Sequence, residues 1–387
     1  MTNFNTIPDR RKNINLTKWT FVSRDALPMW VADMDFPTPR PILNALHKVL
    51  DHGVLGYELP GEALQETVAA RMERLYKWKV QPEAVLTVTG IVSGFTVAAR
   101  AFCSPQKGVV VQTPVYNEFH EVKDNVGIPQ VDIPLVKSVQ GNILHYEIDW
   151  DVFEKQVKKA RMFLLCNPHN PLGIIFSRKE LIRMAEICIK HKVLIVSDEI
   201  HSELLLDDNK FTPLAKISSE IAKHTITLIS PSKTFNVPGL FCGFAIIPNK
   251  ELRDPFEKEM NRLRLHVGSM GLHAAHTAFS GRCDSWLKDL KVYLTANRNF
   301  LVDYVTANMP EVRTTIPDAT YLGWLDFTQV GMAGSPYEFF KEKAKVVLSD
   351  GKIFGRNGQG HVRLNFGTSR ALLKQGLERM RQALNSV

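Results

Sequence analysis

The chain has 387 residues, 44% of them hydrophobic and 23% charged, an ordinary globular composition that is long enough for a large core and two domains. No apolar run reaches the ~18–20 residues that cross a bilayer, so a membrane protein is not expected. The formal charge is +8, but the basic residues interleave with acids, and their densest groups (Arg10-Arg11-Lys12, residues 155–161, residues 262–264) are short. That argues against a dedicated nucleic-acid stripe and for attraction of small anions.

Residues 1–45 carry prolines at 8, 28, 37, 39 and 41 and read as an extended arm. From about residue 62 the pattern alternates helices with short apolar strands. A helix is expected over 64–78, with Leu64, Val68, Met72 and Leu75 on one face. Strands are expected at 85–88, 109–111, 163–166, 193–196, 225–229 and 244–247, with helices over 94–102 and 179–191. Nearly continuous apolar strands separated by helices imply a mostly parallel sheet covered on both faces. After residue 285 the character changes: a long helix over 286–309, alternating strands at 321–327 and 361–366 that read as half-buried, and a last helix over 369–384. The fold class expected is therefore α/β, with a large sheet domain over 46–284 and a smaller α+β domain over 285–387, to which part of 1–45 belongs. The five cysteines are scattered without CxxC spacing, so neither a disulfide framework nor zinc is indicated. No apolar segment follows the basic start, and a cytoplasmic protein is expected.

In open α/β sheets ligands sit beyond the carboxyl ends of the strands, so the residues that follow each strand matter most. After 225–229 comes Ser230-Pro231-Ser232-Lys233-Thr234-Phe235-Asn236. A lysine at the end of a buried strand loses charge stabilisation and becomes a nucleophile able to form an imine, and hydroxyls beside it suit a phosphate. After 85–88 comes Thr89-Gly90-Ile91-Val92-Ser93-Gly94, where the amides of a helix start bind phosphate. After 109–111 comes Tyr116, a ring that can stack. After 163–166 comes Asn167-Pro168-His169-Asn170-Pro171-Leu172-Gly173, and after 193–196 Asp198-Glu199-Ile200-His201. Each feature alone has an ordinary structural explanation: a cap, a turn, a core ring, a surface loop. Five strand ends that together offer a phosphate cradle, a ring, amide donors, a carboxylate and an amine match what pyridoxal 5′-phosphate (PLP) needs.

These strings resemble the fold-type I PLP enzymes of the aminotransferase class I/II superfamily. Trp30-Val31-Ala32-Asp33-Met34-Asp35-Phe36, Asp-Glu-Ile-His and Ser-Lys-Thr-Phe-Asn are similar in particular to the cystathionine β-lyase/cystalysin branch, the C–S lyases. The resemblance spans nearly the whole chain. It implies Lys233 as the imine-forming lysine and Asp198 as partner of the pyridine nitrogen, keeping the ring an electron sink. It implies Asn170 as donor to the ring 3-oxygen, and places His201 where aminotransferases more often carry a tyrosine. Tyr116 would stack on the ring. Gly90, Ile91 and Val92 would hold the phosphate, with Ser230 or Ser232. Arg363 would clamp the substrate carboxylate. Tyr57 would reach the phosphate of a neighbouring subunit, which implies a homodimer.

The sequence also departs from the family. The position eight residues after Lys233, where many aminotransferases pair an arginine with the phosphate, is Phe241. Glu118 stands where many relatives have proline, and the phosphate loop reads Gly-Ile-Val-Ser rather than Gly-Val-Val-Pro. Pocket walls are expected from Met34, Asp35, Phe36, Asn117 and residues of the dimer partner. The activity implied is β-elimination of an amino-acid thioether to a thiol, pyruvate and ammonia, with Lys233 as general base. Transamination shares its first steps and is the alternative, as is a lyase that also binds a regulatory protein.

Overall fold

A computed structural model describes residues 2–12 and 14–386. Seven short strands build the main sheet: β1 (Val85–Val88), β2 (Val109–Thr113), β3 (Gln130–Pro134), β4 (Met162–Cys166), β5 (Leu194–Asp198), β6 (Thr225–Ile229) and β7 (Gly243–Ile246). Their order across the sheet is β1-β7-β6-β5-β4-β2-β3. Only β7 runs against its neighbours β1 and β6; the other pairings are parallel. The mixed α/β architecture matches the class expected from the sequence.

The continuous apolar character of these strands has a physical reason in the packing. Val109, Val111, Met162, Leu164, Leu194 and Val196 belong to one buried cluster. The residues between them, Val110, Phe163, Leu165 and Ile195, belong to another on the opposite face. Alternate side chains point to opposite faces of a strand, so a sheet buried on both sides needs apolar residues at every position. Each such side chain contributes about 1.5–3 kcal/mol when fully buried.

The helix after β1 begins at Ile91, three residues earlier than the sequence pattern placed it. Gly90 makes this possible: its φ of 148° and ψ of 168° turn the chain straight from strand to helix, a conformation that is essentially glycine's own.

A second sheet has six strands, in the order Ser349–Asp350, His361–Asn365, Leu322–Asp326, Arg313–Thr314, Ile143–Glu147 and Val136–Gln140. Its last two strands form a hairpin from the middle of the chain, joined to the rest through the parallel pairing of Ile143 with Thr314. The expectation that 321–327 and 361–366 are half-buried is corrected. Every residue of Leu322–Asp326 and His361–Asn365 is buried. Gly323 lies so close to Leu301 of helix Asp284–Asn308 that a Cβ would stand 2.6 Å from it, and Trp324 packs edge-on against Phe354.

The N-terminal arm is also more structured than its prolines suggested. It holds a short helix, Thr17–Thr20, and a strand, Leu27–Pro28, paired in parallel with Val346–Val347. A 13-residue helix opens at Arg40 behind Pro39, with Pro41 in its first turn. Proline suits that turn because its missing N–H would have had no partner there. Between these elements, Met29 to Pro39 has no regular structure.

Candidate active site

A cavity of about 400 Å³ opens at the carboxyl ends of β1, β2, β4, β5 and β6. It collects Gly90, Ile91, Val92, Tyr116, Asn170, Asp198, His201, Ser230, Ser232 and Lys233, separated by as many as 143 positions in sequence. Strand order explains the gathering, since β4, β5 and β6 are adjacent and in register, with Asp198 opposite Cys166 and Leu228.

Lys233 lies in the turn Pro231–Thr234 that leaves β6. Ser230 caps the turn, its Oγ accepting from Ser232 N at 3.1 Å and donating to Cys242 O at 2.7 Å. The Ser230 hydroxyl is thus committed to the fold, and Ser232 is the serine of the pair that keeps a hydroxyl for a ligand. Lys233 Nζ donates to the carbonyl of Ala32 at 2.7 Å. Burial pushes its amine down to about 8; Asp33 draws it back up, Arg363 pushes it further down, and Asp198 draws it up. Part of this lysine is therefore neutral near neutral pH, as a nucleophile or base must be.

Asp198 ends β5 and accepts from Ile200 N at 3.0 Å. Burial pushes its carboxyl up to about 7, against the pull of that N–H and of Lys233. A protonated ring nitrogen placed against it would restore the carboxylate. His201 is buried, packs edge-on against Tyr321 at 6.0 Å, and leaves Nδ1 without a partner. Burial, then the charges of Lys233 and Arg363, push it down to about 3, so it is neutral. Tyr116 lines the cavity, its N–H on Asn170 O at 3.1 Å. Burial pushes its phenol up to about 12, which keeps it protonated.

Arg363 is buried in strand His361–Asn365. Its Nη1 donates to Asn170 Oδ1 at 3.1 Å, and its Nη2 to Trp30 O at 2.7 Å and Ser349 Oγ at 3.1 Å. Phe354 lies beneath the guanidinium at 5.1 Å. Nε has no partner, and among the described residues no carboxylate pairs with this cation. Burial pushes it down to about 10. A buried guanidinium without a counter-ion is costly unless a ligand supplies one; a substrate carboxylate would.

The opposite end suits a phosphate. Behind Gly90 the amides of Ile91, Val92 and Ser93 form the first turn of helix Ile91–Phe102, where backbone donors lack intrahelical partners. Among the described residues no arginine lines the cavity: Arg363 stands behind Asn170, which does, and none stands at the phosphate end. Phe241, 69% exposed and held at a φ of 44°, stands at its rim instead.

Some expected residues lie elsewhere. Tyr57, expected at a neighbouring subunit's site and not at this chain's own, is fully exposed in the loop 53–61 and borders a separate cleft with His273 and Arg282. Met34 and Phe36 are in the core and Asp35 is buried against Lys18, while Asn117 borders another cleft. None of these four walls the cavity: the segment from Trp30 to Phe36 gives the site the carbonyls of Trp30 and Ala32 while Met34, Asp35 and Phe36 are buried elsewhere, and Asn117 opens the helix Glu118–Val126 beside the other cleft. Sequence reasoning missed Ala32, Ser349, Tyr321 and Phe354. The Trp30–Phe36 motif was the available signal for the first, but no residue pattern announces a carbonyl that serves as an acceptor.

The cavity, the lysine, the carboxylate and the amide cradle fit PLP. Residues 31–380 match the family model for aminotransferase class I and II. The chain is 37% identical over 386 residues to cystathionine β-lyase PatB of Bacillus subtilis, covering 97% of this chain and 98% of that one. Cystalysin from Treponema denticola, which contains PLP, superposes with a TM-score of 0.94 at 30% identity, over 100% of this chain and 99% of that one. A PLP-bound putative aminotransferase from Clostridium difficile superposes equally well, with a TM-score of 0.94 at 33% identity, over 99% and 100% of the two chains. The chain belongs to the aminotransferase class I and II family of PLP-dependent enzymes, in its cystathionine β-lyase and C–S lyase branch.

Proposed function

We propose that this carbon–sulfur lyase cleaves the Cβ–S bond of a cystathionine-type or other cysteine S-conjugate, and that with one water the products are a thiol, pyruvate and ammonia. The observation that carries the reading is the placement of Lys233 and Arg363. Both side chains bond to carbonyls of one short segment, Ala32 and Trp30, two residues apart, which supports a base and a carboxylate clamp at neighbouring positions. Similarity to PatB supports the sulfur chemistry.

Bound PLP supplies the electron sink that makes an amino-acid Cα–H acidic. Arg363 takes the substrate carboxylate through its unpaired Nε and the Nη edge, which fixes the direction of the Cα–H bond. Lys233 Nζ removes that proton as general base. Asp198 would hold the cofactor's ring nitrogen through its carboxylate, and neutral His201 and Asn170, which line the same cavity, would offer it polar partners. The Cβ–S electron pair leaves with sulfur. Phe241 in place of an arginine leaves the phosphate end to amides and Ser232; this departure from the aminotransferase pattern fits the lyase branch better than a typical aminotransferase. Loop 53–61 exposes Val54, Leu55, Tyr57 and Leu59, and this apolar run supports a homodimer in which Tyr57 completes the neighbouring site.

The test is incubation of the PLP-loaded protein with L-cystathionine in the absence of any keto acid, following pyruvate and free thiol together. Equal release of both is expected. Turnover that requires a keto acid and yields no thiol would move the assignment to transamination.

A further inference from the structure

The segment Met29 to Met34 has no regular structure, yet each of its six carbonyls accepts a hydrogen bond. The donors come from three distant parts of the chain. Asn365 grips the segment from the second sheet: its Nδ2 donates to Val31 O and Asp33 O, both at 2.6 Å, and its N–H to Met29 O at 2.9 Å. Asn236 grips it from the turn after Lys233. Its Oδ1 accepts from Met34 N at 2.9 Å, and its Nδ2 donates to Met34 O at 2.9 Å and Phe36 O at 2.7 Å. The amide of Asn236 thereby mimics a neighbouring strand, and its φ of 56° lets it do so, a conformation asparagine tolerates. From the outer side, Arg10 and Lys18 neutralise Asp33 and Asp35, with contacts of 3.0 to 3.6 Å.

What remains on the inner side is Trp30 O for Arg363 and Ala32 O for Lys233, the latter shared with Tyr321 OH at 2.8 Å. Breaking a single hydrogen bond shifts such an arrangement little, but here the carbonyls of Met29, Val31, Asp33 and Met34 are held by Asn365 and Asn236, and the two that meet Arg363 and Lys233 also accept from Ser349 Oγ at 3.0 Å and Tyr321 OH at 2.8 Å. We infer that Met29–Phe36 is a strap that sets the orientation of Lys233 and Arg363 jointly, with Asn365, Asn236 and Arg10 as positioning residues. The inference rests on the roles given above to Lys233 and Arg363. Three motifs that look unrelated in sequence, Trp30 to Phe36, Ser232 to Asn236 and Val362 to Asn365, are on this view the parts of one device.

The experiment uses the PLP-loaded protein as Asn365→Ser and Arg10→Gln, the latter on the N-terminal arm, outside both sheets, where Lys18 still pairs with Asp33 and Asp35. Two readouts are taken: amide hydrogen exchange over 30–36, and affinity for L-alanine followed by cofactor absorbance. Faster exchange confined to the strap is expected in both, with L-alanine affinity lower by about tenfold in Asn365→Ser, which frees the carbonyls of Val31 and Asp33, and about threefold in Arg10→Gln, whose contacts to Asp33, Asp35 and Met34 O are each backed by Lys18 or Asn236. Faster exchange with wild-type affinity in both variants would overturn the inference, as would lowered affinity with unchanged strap exchange. Arg363→Lys, run alongside, separates the two readings. If it binds L-alanine like the wild type, the role of Arg363 itself fails; if it loses affinity while both strap variants keep theirs, only the strap fails.

Discussion

The two halves of the site are built on different plans. The cofactor half (Gly90, Asn170, Asp198, Ser232, Lys233) stands on strand ends, where each residue is placed by the strand that precedes it. In the substrate half Arg363 stands in a strand of the second sheet, but the strap it meets is held by hydrogen bonds to side chains, across 333 positions in the case of Arg363 and Trp30. A strand end is fixed by a whole sheet; the strap is fixed by a few hydrogen bonds. The first half should therefore fail abruptly when a reacting group is lost, and the second should fail by degrees.

The largest effect belongs to Lys233. In Lys233→Ala, the base for the Cα proton is gone, and kcat for thiol release should fall by at least about 10³-fold, within or beyond the usual range for acid–base catalysis. Folding should be retained, because Lys233 makes one hydrogen bond to the strap. Retained turnover would place the base elsewhere. Next comes the clamp. Arg363→Lys keeps a charge but loses the planar fork that reaches Asn170 and Trp30 at once. A loss of about 100-fold in kcat/KM, carried mostly by KM, is expected for two charge-assisted bonds. A loss confined to kcat would assign Arg363 to the chemistry instead of to binding.

The contrast also decides what the sequence could show. The cofactor half was legible because apolar runs mark β1, β2, β4, β5 and β6 and the residue after each run falls at the site. Gly90, Asn170, Asp198 and Lys233 could be read in that way. The full burial of Leu322–Asp326 was not, because the alternation of Tyr321 to Phe327 looks the same whether a helix covers the second face or water does. The four expected wall residues were misplaced for a related reason: motif strings give identity but not the direction in which a side chain leaves the backbone. Ala32 offers the site only its carbonyl, which every residue type possesses.

Gly90→Ala probes the cofactor half more gently. No atom lies within 4 Å of the added Cβ, so the cost is conformational rather than steric. At a φ of 148° it is about 1–3 kcal/mol, and about a tenfold weaker affinity for PLP is expected, with the affinity for L-alanine in the loaded protein unchanged. Titration joins the two halves. In cofactor-free protein, an amine-selective reagent should modify Lys233 with a midpoint near pH 8, below the ~10.4 of an ordinary lysine. Asp33 on the strap favours the ammonium, so Asp33→Asn should move the midpoint lower still. A midpoint that does not move would disconnect the strap from Lys233.

The smallest effect is the most direct test of the departure at Phe241. A guanidinium there would face the phosphate end that the amides of Ile91, Val92 and Ser93 now serve without a cationic side chain. Arginine in the same left-handed conformation is no more strained than phenylalanine, since both carry a Cβ. The position is 69% exposed, so a new ion pair is screened, and Phe241→Arg should tighten PLP binding only about two- to fivefold. A gain of that size, with the ratio of thiol release to transamination unchanged, would show that the phosphate end sets cofactor retention and not reaction type. If the same substitution raised transamination of L-alanine at the expense of thiol release, the cofactor half would share control of the reaction with the strap and Arg363, and the division between the two halves would no longer hold.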